Sequence, residues 1–167
     1  MLNTAFGFIA DPEVARAAHE AGAGATISIS LGGKSDDLHG DPVEAEAYVK
    51  ALTDGRFRLT NPMGAGSEVN LGPMVRLVIG NVDVLVASER AQTLDPEVFL
   101  LHGVDVSRYK VVALKSQQHF RGGFAEVAGA IIRTDSPGAT TSTLSSLPYQ
   151  RVRRPIWPLD EVEFALT

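Results

Sequence analysis

The chain contains no cysteine. That removes disulfides, thiol nucleophiles and cysteine-ligated metal sites in one step, and it fits a reducing compartment. Long apolar runs are missing too. No stretch of the 167 residues approaches the roughly 20 apolar positions that a membrane span needs. No basic-then-apolar leader opens the sequence, so the expectation is a cytoplasmic protein with no membrane partner. Positive charge is in deficit: 15 Lys and Arg stand against 20 Asp and Glu, a net charge of −5. A chain of that sign repels phosphate backbones. Its one basic run, Arg151, Arg153 and Arg154, has no interleaved aromatics to stack bases, so nucleic acid is not an expected partner.

What is present suffices for one soluble domain. The apolar fraction of 44% over 167 residues can bury a core without a disulfide or structural metal. Residues 5–10 form an apolar run that reads as a buried strand. Asp11-Pro12-Glu13 then starts a helix, with Asp11 as cap and Pro12 at the first helical position, and Gly22 ends it. Residues 25–31 alternate and are β-branched, which predicts a strand. Residues 43–51 alternate small or apolar with polar side chains and predict a half-exposed strand, followed by an Asp54-Gly55 hairpin into 56–60.

Residues 61–72 hold three glycines and a proline and read as a loop. Strands over 74–79 and 82–87 flank Gly80-Asn81, a hairpin signal. Asp95-Pro96-Glu97-Val98 repeats the first helix start, and a shared capping solution explains the repeat better than duplication. A strand over 109–114, a short helix over 120–128 and a strand over 130–134 complete the body. From Ser136 on, Pro, Ser, Thr and Gly dominate, with Ile156-Trp157 expected to anchor this tail on the body. The expected fold is a single α/β domain, 1–167, with a mixed sheet, several hairpins, few short helices and an extended tail over 135–167.

Three polar clusters each follow a strand, where open α/β sheets place ligands. The first is Leu31-Gly32-Gly33-Lys34-Ser35-Asp36-Asp37-Leu38-His39-Gly40. Gly33-Lys34-Ser35 mimics the end of a P-loop, but Ser28 stands where that loop needs glycine, and two aspartates would repel a triphosphate. Asp36, Asp37, His39 and Asp41 offer metal donors; a polar turn is the plainer alternative. The second cluster is Lys115, Ser116 and His119, either a nucleophile and base or a helix cap with a half-buried histidine. The third is Ser88-Glu89-Arg90, by default a surface ion pair. Convergence of the three on one sheet edge would make a site. His19 and His102 look structural, a positive His102 suiting its helix terminus.

These residues also resemble a known family. Asp11-Pro12-Glu13, Leu31-Gly32-Gly33-Lys34 with Asp36, His39 and Gly40, Leu71-Gly72-Pro73, Ser88-Glu89-Arg90, and Lys115-Ser116 with His119-Phe120-Arg121 are similar to the C-terminal domain of MlrC-type proteins. Leu147-Pro148-Tyr149 and the run from Arg153 to Asp160 continue the likeness, which spans nearly the whole chain. These are the microcystin-degradation family of zinc metallopeptidases.

The resemblance implies a bacterial hydrolase of amide bonds in small or linearised peptides. It also implies that the zinc ligands lie in a larger N-terminal domain, absent here, so no zinc ligand is assigned in this chain. That missing domain, or a split-enzyme partner, is then the expected partner, besides a small peptide substrate. Lys34, Asp36, His39, Ser88, Arg90, Lys115, Ser116 and His119 are the candidates to face it or the substrate. Two other readings compete: a binding module, as a monomer or a homodimer, and an independent hydrolase with its own metal on Asp36, His39 and His119.

Overall fold

The computed structural model describes residues 3–37, 40–136, 141 and 143–162. Its centre is a six-stranded mixed sheet built from β1 (Thr4–Ala10), β2 (Thr26–Leu31), β3 (Val43–Thr53), β6 (Met74–Ile79), β7 (Val82–Ala87) and β8 (Val111–Leu114), in the order β2-β3-β6-β7-β1-β8. β1 lies parallel to both β7 and β8, so the three C-terminal ends share one edge. The Gly80-Asn81 hairpin forms as expected, pairing Ile79 with Val82 and Met74 with Ala87. A separate two-stranded sheet joins β4 (Arg56–Arg58) to β5 (Glu68–Asn70). The helices are α1 (Pro12–Ala21), α2 (Glu97–Leu100) and α3 (Arg121–Phe124).

Both faces of the sheet are covered. Val84 and Val86 of β7 point to one core with Val14, Ala15 and Ala18 of α1, while Leu85 and Ala87 point to the other with Val98, Phe99 and Phe124. Burial on both faces is why β1 and β7 read as near-continuous apolar runs. Each fully buried Leu, Val or Phe in these clusters contributes on the order of 1.5–3 kcal/mol.

Strand β3 pairs with β2 through residues 43–48 and with β6 through 48–53, with an irregularity between Val49 and Ala51. Antiparallel pairing alone would send the end of β2 away from the ends of β1 and β7. Yet Gly32 N–H donates to Asp11 at the start of α1, 3.0 Å away. The β2–β3 hairpin therefore curls over α1, which is sandwiched between it and the central strands. This curl returns the first polar cluster to the edge where β1, β7 and β8 end.

Several expectations are corrected. Asp54-Gly55 does not make a hairpin of β3 with 56–60: β4 turns away and pairs with β5, inside the stretch read as a loop. Leu71 N–H instead donates to Gly55 O, so the glycine lets a neighbouring segment close on it. Residues 130–134 form no strand; they are exposed and irregular, since both sheet edges lie elsewhere. The helix expected over 120–128 shrinks to α3, and β8 begins at Val111 because Val106–Arg108 form a 3-10 turn before it. Ile156 and Trp157 are 42% and 67% exposed and do not anchor the tail.

Candidate functional site

Asp11 is the hub of the sheet edge. It follows β1, is 2% exposed, and takes Val14 N–H as the cap of α1 at 3.2 Å. The same carboxylate accepts from Gly32 N–H and from Lys34 Nζ at 3.0–3.1 Å, so it fixes the start of the first polar cluster. Lys34 Nζ also lies 3.1 Å from Glu13. Burial opposes charge on Lys34, but its hydrogen bonds to Asp11 and Glu13 outweigh that and raise its pKa. Gly32 and Gly33 both have positive φ, +68° and +63°. At Gly33 a Cβ would overlap the backbone of residues 40–42 at 2.5–2.7 Å, so only glycine permits the fold-back of this loop.

The clusters meet. Arg90 Nη2 donates to Ser35 Oγ at 2.7 Å, joining the β7 end to the β2 end instead of pairing with Glu89 as a surface ion pair. His119 Nδ1 donates to Gln92 Oε1 at 2.9 Å, joining the β8 end to the segment after β7. Thr93 stitches the same ends, its hydroxyl donating to Gly7 O at 2.6 Å and its N–H to Lys115 O at 3.4 Å. Ser116 Oγ accepts from Phe120 N–H at 3.2 Å, the capping role weighed for it. His119 is exposed where half-burial was the expectation. Lys115 is exposed, and Ser88 donates to Pro73 O at 2.7 Å, a structural contact. His39 lies outside the described residues.

Two buried carboxylates, Asp11 and Asp95, were missed as hubs, and Gln92 was missed as the partner of His119. The repeated Asp-Pro-Glu-Val was the signal for the two aspartates. Asp95 is 1% exposed and accepts from Thr60 N–H and Asn61 N–H, both at 2.7 Å, besides Glu97 N–H at 2.9 Å. Burial pushes its pKa up, but backbone hydrogen bonds from Glu97, Asn61 and Thr60 win and lower it. Asp11 caps α1, Asp95 accepts from Glu97 N–H at the start of α2, and each also ties down a distant loop. Beside Gln92 and Thr93 lies a small apolar cavity of about 90 Å³ lined by Phe8, Leu71 and Val98.

His102 is corrected. It is 3% exposed, with Nδ1 donating to Val98 O at 2.9 Å and Nε2 accepting from Thr53 Oγ1 at 3.1 Å. Burial lowers its pKa, so it is neutral and not a cation at a helix end. His19 is structural as expected, donating to Met74 O at 3.0 Å.

The family model described as "MlrC C-terminus" matches residues 2–151. The chain belongs to the MlrC C-terminus family. It is 28% identical over 162 residues to Microcystinase C from Sphingomonas sp., covering 97% of this chain and 30% of that protein. A crystal structure named "Putative metallopeptidase", from Mesorhizobium sp. BNC1, superposes with a TM-score of 0.80 at 30% identity, covering 98% of this chain and 32% of that one. The chain thus spans about a third of the length of these relatives. A metallopeptidase implies a metal. Among the described residues no group of three or more His, Asp or Glu could hold one. Asp11, the most buried carboxylate of the edge, already carries the Lys34 ammonium. The described residues of this edge do not fit a metal. No helix of the structure is long and apolar enough to cross a membrane.

Proposed function

We propose that this chain serves as one wall of the active site of an MlrC-like zinc metallopeptidase that hydrolyses amide bonds of small or linearised peptides. The metal belongs to the part of such a protein that this chain does not span. The observation that carries the reading is the convergence of the three strand-end clusters, joined through Arg90–Ser35 and His119–Gln92 beside the Asp11–Lys34 pair. Lys34, Arg90, Lys115 and His119 follow the ends of β2, β7 and β8, and their donors suit a peptide carboxylate or carbonyl. Asp11 and the two positive-φ glycines hold Lys34 in place before any substrate arrives.

The test is a hybrid enzyme in which this chain replaces the matched third of the Mesorhizobium relative. Metal-dependent cleavage of a linear peptide, abolished by a chelator and restored by zinc, is the expected result. A folded, metal-loaded hybrid that binds linear peptide but never cleaves it would remove the peptidase reading and favour a binding module.

A further inference from the structure

The C-terminal segment gathers an unusual amount of exposed apolar surface. Ile132 is 87% exposed and Trp157 67%, and Val127, Tyr149, Val152 and Ile156 are exposed with them. Large apolar side chains left in water on one segment of a chain mark an interaction site.

The Trp157 loop is built rather than loose. Arg154 Nε donates to Asp160 Oδ2 at 2.6 Å, and its Nη2 donates to the other carboxylate oxygen. Ile156 N–H donates to the same Asp160 at 2.7 Å, and Leu159 and Asp160 N–H return to Ile156 O at 2.9 Å. This clasp closes the base of the loop and holds the indole out between Ile156 and Pro158. A tryptophan presented on a pre-ordered loop loses little entropy on binding and is the commonest kind of interface anchor. Arg151 and Arg153 flank it, exposed and without an ion pair among the described residues.

We infer that residues 143–162, with Trp157 as anchor, are a docking arm for the part of an MlrC-type protein that this chain does not span. The matching face is an apolar pocket with an acidic rim. The inference rests on the reading under Proposed function. The occupant follows from length and charge. The relatives carry more than twice this chain's length beyond the match. The arm offers unpaired arginines although the chain as a whole is acidic. A second copy fits less well: the exposed large apolar side chains of the body, Val43, Tyr48, Met63, Leu100 and Val111, are spread over β3, the β4–β5 loop, α2 and β8.

Site-resolved hydroxyl-radical footprinting tests this. The isolated chain and the hybrid enzyme are compared, with Met63, 59% exposed in the body, as the internal control. Oxidation of Trp157 should fall about tenfold or more in the hybrid while Met63 is unchanged. Arg151→Glu with Arg153→Glu in the hybrid should restore most of the Trp157 reactivity. Equal reactivity of Trp157 in both proteins, whether or not the hybrid is fully folded, overturns the inference. So does protection of Trp157 in the isolated chain as its concentration rises, which would make the occupant a second copy. A protected Trp157 in a hybrid that cleaves no peptide would sink the peptidase reading and keep the docking arm. Cleavage with Trp157 still reactive would do the reverse.

Discussion

Replacing Asp11 by alanine should be among the most damaging single changes outside the apolar cores. Three losses combine. The α1 cap bond to Val14 N–H disappears, worth about 1 kcal/mol. The part-buried Gly32 N–H loses its acceptor, at about 1–3 kcal/mol. The Lys34 pair goes too, but Lys34 is 31% exposed, so solvent screening limits that contribution to less than about 1 kcal/mol. The sum is about 2–5 kcal/mol, a large part of the ~5–15 kcal/mol that holds a domain together. With a urea slope of about 2 kcal/mol per molar, the unfolding midpoint should drop by roughly 1–2.5 M. Asp11→Asn caps as well as aspartate, but its single oxygen cannot also accept from Gly32 N–H, so it should recover only the cap, about 1 kcal/mol of the loss. A midpoint shift under roughly 0.5 M for the alanine variant, or equal losses for both variants, would refute the assignment of Asp11 as a hub.

Three further outcomes are expected. His102 takes up a proton less readily folded than unfolded, where its pKa is about 6.5; its contribution is fully present above that pH and is lost as pH falls through the depressed folded value. Urea midpoints of the wild type should therefore decline below about pH 6.5, and His102→Gln should flatten that limb; parallel profiles would contradict it. Tyr109→Phe removes the hydroxyl that donates to Asp83 at 2.7 Å and should cost about 1–2 kcal/mol by denaturation, less than Arg76→Ala, which strips the part-buried Asp83 carboxylate of the guanidinium 2.6 Å away. Gly7→Ala would drive a methyl into the Phe99 ring, with ring atoms at 2.8 and 2.9 Å besides a closer one; thermal unfolding should fall by several degrees, and an unchanged midpoint would contradict the packing.

Local physics made the local elements legible. Asp-Pro-Glu-Val marked two helix starts, alternation in β3 outweighed its capping-box look, and Gly80-Asn81 placed the central hairpin. Long-range closure was not legible. Nothing near Phe57 or Val69 announces their pairing across a glycine-rich stretch, because it is set by packing of both side chains on the Phe8 core. The curl of β2–β3 over α1 was hidden for the same reason, and with it the contact of Asp11 with Gly32. Ile131 and Ile132 carry strand propensity but pair with neither sheet edge, β2 or β8, so propensity alone misread 130–134. Of the candidate site residues, Lys34, Arg90 and His119 each bond a residue beyond the end of a different strand, and Ser88 and Ser116 took structural bonds.

The wall itself is tested most directly by the kcat/KM of the hybrid enzyme on a linear peptide with Lys34→Ala and Arg90→Ala, set against the remote surface change Arg16→Ala. Loss of a charged hydrogen bond to substrate is worth about 1.5–3 kcal/mol, so each of the two should fall roughly 10- to 100-fold while folding is kept and Arg16→Ala is neutral. Values within about twofold of the parent for both would contradict the claim that this sheet edge faces the substrate.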